Sequence, residues 1–157
     1  MILKSFEISK INLNTSNLIL FYGKNEGLKI EALNILIKDK NITSHYEEKE
    51  ILDNENNFIE TILSKSLFDP QKFIIIKRAT DKILKIIENL HQKNLEDTTI
   101  VLNSESLEKK SKLRSFFEKN KTLVCVPFYP DNDQTLYKLA FNFLNEKKIS
   151  ISSSNIN

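Results

Sequence analysis

The sequence is poor in the residues on which easily recognised chemistry is built. It has one cysteine, two glycines, three prolines and no tryptophan among 157 residues. A single cysteine excludes a disulfide framework. Cys125 also lies inside the apolar run Leu123-Val124-Cys125-Val126, the setting of a small core residue and not of a nucleophile. No Cys/His pair has zinc-ligand spacing, and His45 and His91 stand apart in polar surroundings. No stretch approaches the roughly 18 consecutive apolar residues of a membrane span. The opening Met1-Ile2-Leu3-Lys4-Ser5-Phe6-Glu7 lacks the basic-then-apolar order of a signal peptide. A cytoplasmic chain with no membrane partner is therefore expected. A net charge of +2 is too small to argue for nucleic acid by itself.

What is present describes an ordinary globular chain, 40% hydrophobic and 28% charged. At this length one domain is expected, burying about two-thirds of its unfolded surface. Lysine, asparagine and isoleucine dominate, a bias we read as genomic, so a lysine or asparagine at one position carries little motif information. Phe6, Ile8 and Ile11 suggest a short N-terminal helix or hook. Leu18-Ile19-Leu20-Phe21-Tyr22, ending at Gly23, reads as a strand buried on both faces. A helix is predicted from about Asn25, with Leu28, Ala32, Leu33, Leu36 and Ile37 at three- and four-residue spacing, until the Asn41 region breaks it. His45 to Ile51 alternates weakly and is charged, as an edge strand should be.

Asp53 or Asn54 can cap a helix carrying Phe58, Ile59, Ile62 and Leu63. Phe73 to Ala79 is expected as the central strand. Thr80 or Asp81 then caps a helix with Ile83, Ile86, Ile87 and Leu90 as its stripe. Thr98 to Leu102 is a fourth strand, ending at Asn103. Leu113, Phe116 and Phe117 mark another helix, with Lys109, Lys110, Lys112 and Arg114 off its apolar face. Thr122 to Val126 is the fifth strand, closed by Pro127. Asp131 with Gln134 resembles a capping box, opening a long helix with Leu136, Tyr137, Ala140, Phe143 and Leu144 on one face. Strand and helix alternate five times, which predicts an α/β fold: a parallel five-stranded sheet with helices on both faces. The Ser- and Asn-rich tail, residues 149–157, reads as a linker, with the domain itself covering residues 1–148.

In such folds a ligand site forms in the loop after the first strand, where a helix N-terminus offers free N–H groups to a phosphate. That loop is Gly23-Lys24-Asn25-Glu26-Gly27-Leu28-Lys29-Ile30. Aligned on Gly23, a phosphate loop wants Gly at 28, Lys at 29 and Ser or Thr at 30. Only Lys29 is in place, and it is expected as a solvated helix residue. Phosphate-loop ATPases also put an acidic residue that holds magnesium at the end of the central strand, and here Lys77 and Arg78 stand instead. ATP hydrolysis is excluded on these residues, and no cofactor is expected. No Gly-x-Ser-x-Gly turn occurs and no histidine neighbours a plausible nucleophile.

One stretch is left over. In Ser66-Leu67-Phe68-Asp69-Pro70 the proline disfavours helical geometry at Asp69, so a helix reaching Phe68 must stop there. Either Leu67 continues the Ile59 and Leu63 stripe into the core with Phe68 capping it, or the pair is displayed at a helix tip. The residues alone leave both open.

Four segments together resemble the N-terminal domain of the delta subunit of bacterial DNA polymerase III, the clamp-loader subunit. They are Leu20 to Leu28, similar to a Tyr-Gly-x-(Asp/Glu)-Glu-Gly stretch from which Asn25 departs; Ser66-Leu67-Phe68 ahead of an apolar strand; Ser106 to Glu118; and Pro127-Phe128-Tyr129-Pro130-Asp131. The resemblance implies an AAA+-type core without a working phosphate loop. It implies no intrinsic activity within a DNA-directed DNA polymerase (nucleotidyltransferase) holoenzyme. Its implied partners are the beta sliding clamp, other clamp-loader subunits through a lid and collar beyond this chain, and DNA. It assigns clamp binding to Leu67 and Phe68, with Ser66 preceding them. The alternative is a divergent phosphate-loop nucleotide-binding enzyme built on Gly23 and Lys29, and a third reading is direct DNA binding through Lys109, Lys110, Lys112 and Arg114.

Overall fold

The computed structural model describes residues 1–37, 43–64, 72–93, 95 and 97–149. The Asn41 break, the segment from Ser66 to Pro70 and the tail from residue 150 lie outside the described residues. Five strands form one parallel sheet: β1 (Leu18–Tyr22), β2 (Thr43–Glu47), β3 (Lys72–Lys77), β4 (Thr98–Ser104) and β5 (Val124–Pro127). Their spatial order is β2-β3-β4-β1-β5. The helices are α1 (Glu26–Ile37), α2 (Glu48–Asp53), α3 (Glu55–Leu63), α4 (Leu84–Gln92), α5 (Lys112–Lys119) and α6 (Asp133–Glu146), with 3-10 turns at Ser5–Lys10 and Asp81–Ile83. This is the α/β class the alternation predicts. No helix among the described residues is long and apolar enough to cross a membrane.

The period of the strands sorts their side chains between two cores. Ile19 and Phe21 of β1, Phe73 and Ile75 of β3, and Val101 of β4 face a core closed by Ala32 and Leu36 of α1 and by Ile8 and Ile11. Leu18, Leu20, Ile74, Ile76, Ile100 and Leu102 face the opposite core, closed by α2 through α5 with Ile51, Phe58, Ile87 and Phe117. Every residue of β1 is buried, as a strand covered on both faces requires.

Four sequence expectations need correction. The strand ending on Lys77 is not central: β3 lies second from the edge and β4 holds the middle. The edge strand is Thr43–Glu47 and the chain turns helical at Glu48, where the Glu47 backbone N–H donates to Glu50 Oε2 at 3.0 Å. The last helix is capped by Asn132, not by Asp131 with Gln134. Thr135 N–H donates to Asn132 Oδ1 at 2.9 Å, and Asn132 N–H donates to Thr135 Oγ1 at 2.8 Å. Finally, α6 buries none of its residues, so its apolar side chains are not core. The far edge of the sheet is covered by the chain's first residues: Leu3 N–H donates to the Cys125 carbonyl at 3.0 Å, and Cys125 N–H to the Met1 carbonyl at 2.9 Å.

Candidate functional site

In an open parallel sheet the crevice for ligands lies beyond the C-terminal ends of the strands, where successive connections diverge to opposite faces. Here that point is between β1, whose connection α1 covers one face, and β4, whose connection α5 covers the other. The chain's own groups fill it. Gly23 N–H donates to the Glu105 carbonyl at 3.1 Å, and Phe128 N–H donates to the Tyr22 carbonyl at 2.7 Å. Gly23 has a φ of 129°, and a Cβ there would stand 2.0 Å from the Phe128 carbonyl oxygen. Only glycine tolerates both the dihedral and the approach.

Asn25 organises the loop that follows. Its Oδ1 accepts from Leu28 N–H at 3.1 Å and so caps α1. Its Nδ2 donates to Asp131 Oδ2 at 2.7 Å and to the Tyr129 carbonyl at 3.3 Å. A carboxylate at 25 could cap but could not donate, which gives the departure from the acidic pattern a local reason.

Lys29 is the clearest departure from the sequence reading. It is not solvated but fully buried. Nζ donates to the Ser104 carbonyl at 2.8 Å and lies 2.6 Å from Glu26 Oε1. The reason is its place in the stripe Lys29, Ala32, Leu36, the buried residues of α1. A lysine stem packs like an aliphatic chain, and a carbonyl and a carboxylate meet its buried end. The cation that a phosphate loop offers to a nucleotide is engaged by the end of β4. Ile30, where a magnesium-binding hydroxyl would stand, points out into solvent.

Next to this point a cleft of about 280 Å³ opens at the ends of β2, β3 and β4. Three cations, Lys29, Lys77 and Arg78, face three carboxylates, Glu26, Glu47 and Glu105. Arg78 Nη2 lies 2.8 Å from Glu47 Oε2, and its backbone is held in the left-handed region at a φ of 55°. Balanced charge of this kind does not concentrate phosphate.

The four basic residues do not line one helix face, because Lys109 and Lys110 lie in a turn before α5 begins. Lys109, Lys110 and Lys112 are exposed, whereas Arg114 packs inward, its guanidinium 4.8 Å from the Tyr22 ring centroid. Arg114 Nε donates to Glu118 Oε1 at 2.8 Å and Nη1 to the Leu107 carbonyl at 3.1 Å. Burial acts to lower its pKa, but the Glu118 bond together with the nearby charges of Tyr22, Glu118 and Tyr129 outweighs this and raises it. Burial, with Cys125 nearby, also raises the Tyr22 hydroxyl above its ordinary value.

Ser66, Leu67 and Phe68, the residues to which the family resemblance points, lie outside the described residues. The residues that bracket them, Ser64 after α3 and Lys72 at the start of β3, are joined. Lys72 Nζ donates to the carbonyls of Thr61, at 2.7 Å, and of Ser64. Sequence reasoning missed Asn25, Lys29 and Lys72 as structural hubs. The spacing of Lys29 from Ala32 and Leu36 was the available signal for one of them.

The described residues thus form a parallel five-stranded α/β fold in which the loops at the switch point hydrogen-bond to one another. No protein-family model matches the chain, and no curated protein matches it. Among solved structures the chain is similar in fold to the Bacillus subtilis DNA clamp loader delta protein (YqeN), at a TM-score of 0.69 and 15% identity. The match covers 97% of this chain and 50% of that one, so the chain spans about half the length of its structural neighbour.

Proposed function

We propose that this chain is the N-terminal domain of a clamp-loader delta-type subunit, a binding module that engages the sliding clamp and helps open it for loading onto primed DNA. The observation that carries this is the likeness in fold to a clamp loader delta protein over 97% of the chain, added to the four sequence segments that resemble that family in order and spacing. The buried, fully engaged Lys29 supports a role without nucleotide hydrolysis. In this reading contact with other loader subunits falls to a region beyond residues 1–148.

Leu67 and Phe68 are the proposed clamp anchors, led in by Ser66. Burying each apolar side chain in a pocket on the clamp contributes about 1.5–3 kcal/mol, and a few such anchors carry most of an interface's energy. The test is titration calorimetry of the chain against a purified beta clamp. Leu67→Ala with Phe68→Ala is expected to weaken binding by at least about a hundredfold, roughly 3 kcal/mol, with the circular dichroism spectrum unchanged. Wild-type affinity in that folded double variant would remove these residues from the interface.

A further inference from the structure

Helix α6 is held to this domain in an unusual way. None of its residues is buried, and Leu136, Leu139 and Phe143 are each about half exposed. A groove of about 460 Å³, with Phe6 and Ile35 on one side and Leu139 on the other, separates α6 from the Ser5–Lys10 turn and α1. Apolar packing therefore does not fix its direction. Polar groups at its first turn do. Leu28 N–H donates to Asn25 Oδ1, Asn25 Nδ2 donates to Asp131 Oδ2, and the Thr135 hydroxyl donates to Asp131 Oδ1 at 3.0 Å. Thr135 and Asn132 then cap α6 reciprocally.

We propose that Asn25, Asp131 and Thr135 form a lock that sets the direction in which α6 leaves the domain. The first turns of α1 and α6 share one continuous chain of hydrogen bonds, and Asn25 is its pivot because it accepts with one atom and donates with the other. A carboxylate at 25 would still cap α1 but would face Asp131 with no proton between them. In a nucleotide-binding protein of this architecture the same loop answers to a phosphate at the helix N-terminus. Here residue 25 takes that control, and α6 stands as a fixed arm whatever ligands are present.

The test is a distance measurement by electron–electron resonance between spin labels at Lys147→Cys, past the end of α6, and Lys85→Cys on the exposed side of α4. Cys125 is fully buried and stays unlabelled. The parent pair should give a single narrow distance distribution. Asn25→Asp should at least double its width. The exchange Asn25→Asp with Asp131→Asn, which again sets one donor against one carboxylate, should restore it. A narrow distribution in Asn25→Asp, or a broad one in the exchange variant, overturns the lock. Should Asn25→Asp fail to fold, Thr135→Val, on the exposed first turn of α6, decides. A broadened distribution supports the lock, and an unchanged one overturns it.

Discussion

Lys29 shows how one side chain can reverse the meaning of a motif without altering it. Its position matches the phosphate-loop lysine, yet its ammonium is held by the Ser104 carbonyl and Glu26 inside the protein. The burial was hard to read because lysine counts as polar in any periodicity, while its four-carbon stem behaves as an aliphatic side chain. Lys29→Ala removes the stem and leaves the Ser104 carbonyl without its donor. We expect a loss of about 2–4 kcal/mol in urea denaturation, from the cavity and the orphaned carbonyl together. Lys29→Met keeps the stem volume and should cost only about 1–2 kcal/mol. Equal losses in the two variants would mean that the ammonium, not the stem, is what the site depends on.

At the scale of elements, junctions are stabilised by carboxylates that serve neighbouring helices. Glu48 at the start of α2 accepts from the Thr80 backbone N–H at 2.6 Å and from the Thr80 hydroxyl at 3.0 Å. Asp81 accepts from the Ser111 hydroxyl at 2.6 Å and from the N–H groups of Leu113, at 3.0 Å, and Lys112, at 3.1 Å. It thereby neutralises the amino-terminal end of α5. Desolvation at the junction raises the Asp81 pKa, but these three bonds outweigh it and hold the carboxyl below its ordinary value. Because the folded value lies below the unfolded one, the contribution is complete above about pH 4 and disappears as the pH falls through the folded value. Asp81→Asn should therefore cost about 1 kcal/mol at pH 7, as loss of a helix cap does, and less near pH 2. A loss of the same size at both pH values would rule out the ionised carboxyl as its source.

The elements with a strong apolar signal were legible in the sequence: β1 runs from Leu18 to Tyr22 as read, and Ile83, Ile86, Ile87 and Leu90 are all buried. α2 was not legible, because among Glu48-Lys49-Glu50-Ile51 a lone apolar residue cannot separate a period of two from one of 3.6. α6 was legible as a helix but not as an uncovered one, since its apolar residues say nothing about what they meet. The candidate site divides the same way. The misfit of Leu28 and Ile30 to a phosphate loop could be read directly, whereas the contact between Asn25 and Asp131 joins residues far apart in the chain.

For the whole molecule, strand order was the least accessible property, since the crossovers that put Thr98–Ser104 in the middle leave no local mark. The core that α2 to α5 close over the sheet can report on unfolding through one atom. Cys125 is fully buried, and burial, with Glu118 nearby, pushes its thiol pKa up to about 12. At neutral pH it should react with a disulfide reagent only when the domain opens. Labelling should accelerate with urea in step with loss of helical signal; rapid labelling in native buffer would show that β5 opens separately from the rest. The position of β1 carries a further consequence, for synthesis. Of the five described strands it is the first to be made, it is apolar along its whole length, and its neighbours in the sheet are reached only at Ile100 and Val124. Long-range parallel pairing of this kind is slow. On the ribosome, then, Leu18-Ile19-Leu20-Phe21-Tyr22 waits unpaired until most of the domain has emerged, and it is the segment through which a nascent chain would be held by chaperones or lost to aggregation.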